Sequence, residues 1–324
     1  ASDLVGNVQV VSTGASVQNI NNITDGLNQI AIVMSDVAYD AIKGQNQFDG
    51  NPADIKALAG MYPNVVQVVA TEDSGIHSIA DLKGKRVAWI TGAPALNLNM
   101  EAYLAYGGLT LDDVEVVEFG GYGASWKGLI GGQVDAVFGS TNTGPAYEAE
   151  TAPRGLAWPP IDPEDDAAFA RMTDVAPFFS RGPITVGAGI DGDAPLDGAT
   201  YAYPVLITMH DQDADLVYNT TKAMVELFPE YDGKAPGIGG WSIDNQDFTW
   251  VVPYHEGAIR YFKEAGIWSE EAQTHNDNLI ARQAALKAAW DELKAENPEN
   301  WDEAWSSKRR AALEAGGFSG QDHL

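Results

Sequence analysis

Apolar positions in this chain fall into two patterns: short continuous runs rich in Val, Ile and Ala, and longer segments that repeat every three to four residues. The first pattern is expected of buried strands and the second of helices packed on one face. Near the start, the β-branched run Val8 to Val11 predicts a strand, and Ser12-Thr13-Gly14-Ala15-Ser16 a small-residue turn with Ser16 as the helix N-cap. The following helix places Val17, Ile20 and Ile23 on one face and is expected to stop near Gly26. Gln29 to Ser35 then reads as a buried strand, and Asp36 to Asp40 opens another helix.

The same β-α rhythm continues. Ile55 to Met61 and Val65 to Thr71 predict strands, as do Arg86 to Ile90, Val114 to Phe119 and Ala136 to Gly139, with helices at Leu96 to Tyr106 and Ala124 to Gly131. Two such series in one chain argue for two sheet-based lobes. From Thr151 to Gly198 the composition shifts to Pro, Gly and Asp, the residues of loops. Tyr201 to Thr208 predicts a strand and Asp213 to Phe228 a helix, and after Pro253 the chain reads as helical to its end, broken at Asn297-Pro298.

A length of 324 residues exceeds what one hydrophobic core usually organises, which supports the two-lobed reading. Charge removes one class of partner altogether. With 46 acidic and 19 basic side chains the formal net charge is −27, so nucleic acid would be repelled. The acidic residues are scattered, as on a strongly hydrated surface, rather than clustered at metal-ligand spacing. Absence of cysteine excludes disulfides, thiolate nucleophiles and Cys-based zinc sites. The five histidines show no ligand spacing, and Asp191-Gly192-Asp193 begins like a calcium loop without the rest of the pattern. No metal and no cofactor is expected. No apolar run approaches the roughly 20 residues of a membrane span, and the polar opening is read as that of a chain whose signal peptide has been removed.

The segment Ser78-Ile79-Ala80-Asp81-Leu82-Lys83-Gly84-Lys85-Arg86 is a short capped helix with a glycine stop, a phrase found where many periplasmic solute-binding proteins pass from one lobe to the other. Together with Ser12 to Asn19, Ala31 to Tyr39, Leu109 to Val114, Gly132 to Phe138 and Asp215 to Ala223, it resembles the TAXI family, the solute-binding subunits of one branch of the tripartite ATP-independent periplasmic (TRAP) transporters. The resemblance implies an α/β, periplasmic-binding-protein-like (type II) clamshell: two α/β lobes joined by hinge strands, with a helical C-terminal tail. Residues 1–72 and 205–324 are expected to form lobe 1 and residues 73–204 lobe 2. It further implies a periplasmic, monomeric binding protein, not an enzyme, that passes a small organic anion to integral-membrane permease subunits. In two respects the sequence departs from relatives. It starts about one strand-helix unit late, so part of lobe 1 is expected to be missing, and Thr91-Gly92-Ala93-Pro94-Ala95 stands where relatives carry a Gly-Ser-Gly-Thr-like turn. Losing those hydroxyls points to a less polar or larger solute.

Ligands of open α/β sheets bind beyond the carboxyl ends of strands, where helix N-termini present free N–H groups to anions. The turns that qualify hold Thr13 and Gly14; Ser35, Asp36 and Tyr39; and Thr91, Gly92, Ala93 and Ala95. In each, Gly and Ser equally suit tight turning and capping, and Asp36 equally suits an N-cap. In lobe 2, Tyr122 and Trp126 offer flat walls, though Trp126 equally suits its own core, while Ser140 and Asn142 offer hydrogen bonds. Arg181 is a candidate for a bidentate carboxylate contact or for an ion pair within the protein, and Tyr203 lies at the return crossing. The rival reading is an enzyme on the same fold with Asp36 or Glu72 as general base.

Overall fold

The computed structural model describes residues 6–13, 16–48, 50–60, 64–91, 93–234 and 238–318. The chain divides into two compact units. Unit 1 comprises Ala1–Pro63 and Ala202–Ser319, and unit 2 is built from Asn64–Tyr201.

In unit 1, helix α1 (Ser16–Thr24) leads to strand β1 (Ala31–Val33), helix α2 (Ser35–Lys43) and strand β2 (Ile55–Gly60). All six residues of β2 are buried, including Lys56, which interrupts an otherwise apolar run and donates to Gln283. The parallel neighbours expected of a β-α-β series are separated here, because the returning strand β9 (Val205–Met209) lies between β1 and β2 and pairs antiparallel with both. Val8 to Val11 form no strand, and their side chains are exposed. Their β-branched bias is not matched by a pairing partner among the described residues, and propensity alone does not hold a strand.

Unit 2 runs through β3 (Asn64–Ala70), β4 (Arg86–Ile90), α3 (Pro94–Tyr106), β5 (Glu115–Phe119), α4 (Tyr122–Ile130), β6 (Ala136–Ser140), α5 (Gly144–Glu150), α6 (Asp166–Val175), β7 (Ser180–Ile184) and β8 (Leu196–Tyr201). Its strands lie in the order β5-β4-β6-β3-β8-β7, with β4 parallel to β5 and β6 and with β3 antiparallel to β6. Trp126, Leu129, Val69 and Val137 pack together in its core.

The outward crossing between units differs from expectation by a strand, the return by three residues. Asn64 to Ala70 already pair with β6 and β8 of unit 2, so the outward crossing falls at 63/64 rather than at 72/73. The single strand expected over Tyr201 to Thr208 is two, β8 and β9, separated by Ala202 to Pro204, so the return falls at 201/202. The capped segment at Ser78 therefore lies inside unit 2. Its form is as read: Ser78 and Asp81 cap a single turn over Ile79–Leu82, and Gly84 takes φ 72°, a left-handed conformation open to glycine.

After β9 come α7 (Ala214–Glu226), α8 (Phe228–Tyr231), α9 (Glu256–Glu264), α10 (Glu270–Glu296) and α11 (Trp301–Ala315), all in unit 1. The break expected at Asn297 is present, with Asn297 left-handed at φ 47° as the C-cap of α10. Trp290 meets both Trp301 and Trp305, with ring centroids 5.4 and 5.2 Å apart. The tail helices thus carry an aromatic core of their own. Among the described residues no helix is long and apolar enough to cross a membrane.

Candidate functional site

Because β4, β5 and β6 run parallel, their carboxyl ends lie along one edge of the sheet, and each is followed by a helix: α3, α4 and α5. The first two turns are tied together where Thr91 N–H donates to Phe119 carbonyl at 2.9 Å. At the third, Ser140 N–H donates to the Tyr122 hydroxyl at 3.2 Å, and Ser140 Oγ donates to Asn142 Oδ1 at 2.7 Å. Thr91, Ala93, Tyr122, Ser140 and Asn142 therefore share one edge of unit 2.

Charge at this edge departs from that of the rest of the chain. No Asp or Glu occurs between Asp81 and Glu101, between Glu118 and Asp135, or between Asp135 and Glu148, although the chain carries 46 acidic residues. The turns are neutral, small or hydroxyl-bearing, and open the N-termini of α3 and α4 without a side-chain cap hydrogen bond. Such ends carry partial positive charge and unsatisfied N–H groups. Chemically, the edge suits an anion held by backbone amides.

Two polar side chains that support this edge were not foreseen. Asn97, buried in α3, accepts from Ile90 N–H at 2.9 Å and donates back to Ile90 carbonyl at 3.0 Å, fixing the end of β4. Thr141 Oγ1 donates to Val186 carbonyl at 2.7 Å, while its own carbonyl accepts from Ala188 N–H at 2.8 Å. The segment after β7 is thereby strapped to the β6–α5 turn. At Gly187 a Cβ would lie 2.5 Å from Thr141, so no larger residue fits beneath the strap.

Several expected contacts are instead internal. Trp126 is buried in the core of unit 2, packed edge-on to Tyr122 at 6.1 Å. Gly139 admits both rings, since a Cβ there would lie 2.5 Å from Trp126. Burial pushes the Tyr122 phenol pKa upward, so this hydroxyl stays protonated. Arg181, on edge strand β7, pairs with Asp166 at 2.8 Å and lies 4.5 Å over the Phe169 ring. Its guanidinium is engaged by α6, as in the ion-pair alternative.

In unit 1, Ser35 and Asp36 have no exposed surface. Ser35 Oγ donates to Ala202 carbonyl, at the return crossing. Asp36 is not an N-cap either: Met34 holds that position, and Asp36 Oδ1 accepts from Val37 N–H at 2.7 Å. Tyr39 is buried on α2 beneath Arg282, whose guanidinium lies 5.7 Å from the ring centre. Ser16 opens α1 as its first residue rather than capping it, and its Oγ accepts from Met34 N–H at 3.0 Å. Thr13 Oγ1 is hydrogen-bonded to Asn19 Oδ1. Tyr203, at the crossing, keeps 37% of its surface exposed. Gly14 and Gly92 lie outside the described residues, as does the Ala95 side chain. Among the described residues no group of three or more His, Asp or Glu side chains is placed to hold a metal.

The strand order of unit 2, the paired strands at both crossings and the helical tail define a protein of the periplasmic-binding-protein architecture. Within that class, the chain belongs to the NMT1-like family, whose model matches residues 3–266. Solved structures similar to it include an ancestral arginine-binding protein bound to arginine, at 18% identity over 68% of this chain and 75% of that one, with a TM-score of 0.36. Another is a mutant of the arginine-binding protein from T. maritima, at 14% identity, 72% and 76% coverage and a TM-score of 0.40. A putative periplasmic sulfonate-binding protein from Methylobacillus flagellatus shares 15% identity over 92% of this chain and 71% of that one, with a TM-score of 0.36.

Proposed function

We propose that this protein is an extracytoplasmic solute-binding subunit of the TAXI type. It captures a small organic anion, most simply a carboxylate, and delivers it as a monomer to the permease of a TRAP transporter. The observation that carries this reading is that the turns at this edge of unit 2 hold no carboxylate and leave the N-termini of α3 and α4 open, in a chain of net charge −27. An anion placed there meets backbone N–H groups and no opposing side-chain charge from those turns. Each helix N-terminus favours a negative charge by about 0.3–1 kcal/mol when exposed and by up to about 2 kcal/mol when partly buried. Thr91, Ser140 and Asn142 supply hydroxyl and amide groups to orient the solute, and Tyr203 lies at the crossing that would bend on closure. The sequence Ala93-Pro94-Ala95 carries no hydroxyl in this turn, which favours a solute with a hydrocarbon portion.

The enzyme alternative gains no support from Asp36, the first of its two proposed bases. Asp36 has no exposed surface from which to take a substrate proton. A general base must come within hydrogen-bond reach of that proton.

A thermal-shift screen of mono- and dicarboxylates, keto acids, amino acids and sulfonates tests the proposal. A solute at 100 times its dissociation constant adds about 2.7 kcal/mol of stability. Saturable stabilisation by an anion, with the compound recovered unchanged, is the expected result. Conversion of the stabilising compound, or stabilisation by neutral or cationic compounds alone, would overturn it.

A further inference from the structure

Every residue of α2 is buried, although the helix carries Asp36, Asp40 and Lys43. Ionisable groups enclosed in this way require partners, because water is not there to solvate them. Side chains of α10 and α11, beyond residue 266, where the match to the family ends, also reach this helix. The Trp305 indole N–H is shared between Lys43 carbonyl at 3.1 Å and Gly44 carbonyl at 2.9 Å, satisfying the C-terminal end of α2. Arg309, itself buried, lies close enough to Asp40 to lower its pKa, against the larger opposing effect of burial. The Arg282 guanidinium covers Tyr39 at 5.7 Å. Just beyond the helix, Trp290 fills the space above Gly50, where a Cβ would come within 2.6 Å of its ring. At the opposite end of α2, Ser35 Oγ donates to Ala202 carbonyl, the first residue of the returning chain.

We infer that the tail helices are a brace on α2, and that through α2 and Ser35 they set the stiffness of the return crossing at Ala202 and Tyr203. Trp305 and Arg309 are then positioning residues that act on the hinge without touching solute. A tail that was merely appended would bury its own aromatic core and leave the charges of α2 to the body of unit 1. Gln45 and Asn46 of that body do donate to Asp40, at 2.6 and 2.9 Å, and the tail adds the charge of Arg309, the Arg282 guanidinium over Tyr39 and the Trp305 N–H at the end of the helix. The inference deepens the solute-binding reading, since a hinge matters to a protein that closes, but its test requires no solute.

Hydrogen exchange of the full-length Trp305→Phe variant provides that test, because the phenyl ring keeps most of the packing and loses the N–H. Exchange of the α2 amides, including those at its start from Val37 to Tyr39, and of Ala202 and Tyr203 should rise about tenfold, while β4 and β6 of unit 2 remain unchanged. An increase confined to residues 301–315 and the Lys43–Gly44 end, or no increase at all, would overturn the proposal. Arg309→Lys keeps the charge and loses the planar fork. It should give the same pattern with a smaller amplitude, and it decides the matter should Trp305→Phe unfold the chain. Unchanged exchange at α2 and Ala202 in Arg309→Lys would then refute the brace. Both readouts stand even if no anion in the thermal-shift screen binds.

Discussion

Asn97 holds the last residue of β4 in both directions, its Oδ1 taking the N–H of Ile90 at 2.9 Å and its Nδ2 donating to the carbonyl of Ile90 at 3.0 Å. One side chain thereby replaces two ladder bonds at the point where the strand ends and the turn begins. Asn97→Leu keeps the volume and leaves the Ile90 N–H without that partner, while the Ile90 carbonyl still accepts from Ala93 N–H at 3.1 Å. A loss of about 1–3 kcal/mol is expected, from one buried backbone N–H left unpaired. Urea denaturation measures it, and a loss below about 1 kcal/mol would show that water reaches the strand end.

Arg86 binds Asp135 through two nitrogens, at 3.1 and 2.6 Å, and also reaches Gly132 carbonyl at 2.9 Å. The guanidinium holds the Asp135 carboxyl below the usual carboxylate range. The folded pKa is therefore depressed, and the stabilisation is complete above the ordinary value near 4 and lost as pH falls through the lowered one. Asp135→Asn should cost about 1–3 kcal/mol at pH 7. The variant should also lose less stability than the parent between pH 4 and the acid limit, as followed by denaturation at a series of pH values.

His255 is buried at the start of α9, where Nδ1 accepts from Gly257 N–H at 3.1 Å. An accepting Nδ1 means a neutral ring protonated on Nε2, and burial lowers the pKa from its ordinary 6.5. The unfolded chain takes up a proton first, so this contribution to stability is present above about pH 6.5 and declines as pH falls below it. His255→Asn retains a capping acceptor that does not titrate. Its stability profile should be flatter than the parent's between pH 6.5 and 5, with little difference at pH 8.

Arg181→Ala separates the two roles open to that residue in the sequence. Its partner Asp166 is largely exposed, so loss of the pair should cost no more than about 1 kcal/mol. Affinity for whichever carboxylate the thermal-shift screen returns should be unchanged. A tenfold loss of affinity would place Arg181 at the solute after all.

Much of the architecture was legible because burial leaves a simple signature. The continuous runs at Ile55, Val66 and Ala136 are strands enclosed on both faces, and the break at Asn297 requires a left-handed residue. Position in the fold was harder to read. Val8 to Val11 carry strand propensity without a pairing partner among the described residues, and the run from Val65 does not reveal that the outward crossing precedes it, because a strand of one unit is as apolar as a strand of the other. At the site, the turns of unit 2 were recognised by their glycines and hydroxyls. Ser35, Asp36 and Trp126 were left between two readings because residue type does not tell whether a side chain faces solvent or its own core. Asn97 did leave a signal: an asparagine in the apolar run Leu96-Asn97-Leu98 is a poor helix former and needs a partner.

Turns without carboxylates have a kinetic consequence for the proposed anionic solute. Approaching a body of net charge −27, an anion first meets repulsion, and only at short range does it find the amides that hold it. Added salt screens the far field within about 8 Å at physiological ionic strength, but leaves close hydrogen bonds largely intact. Capture should therefore quicken as ionic strength rises, the reverse of electrostatic steering, so that brine would serve this protein as an accelerant.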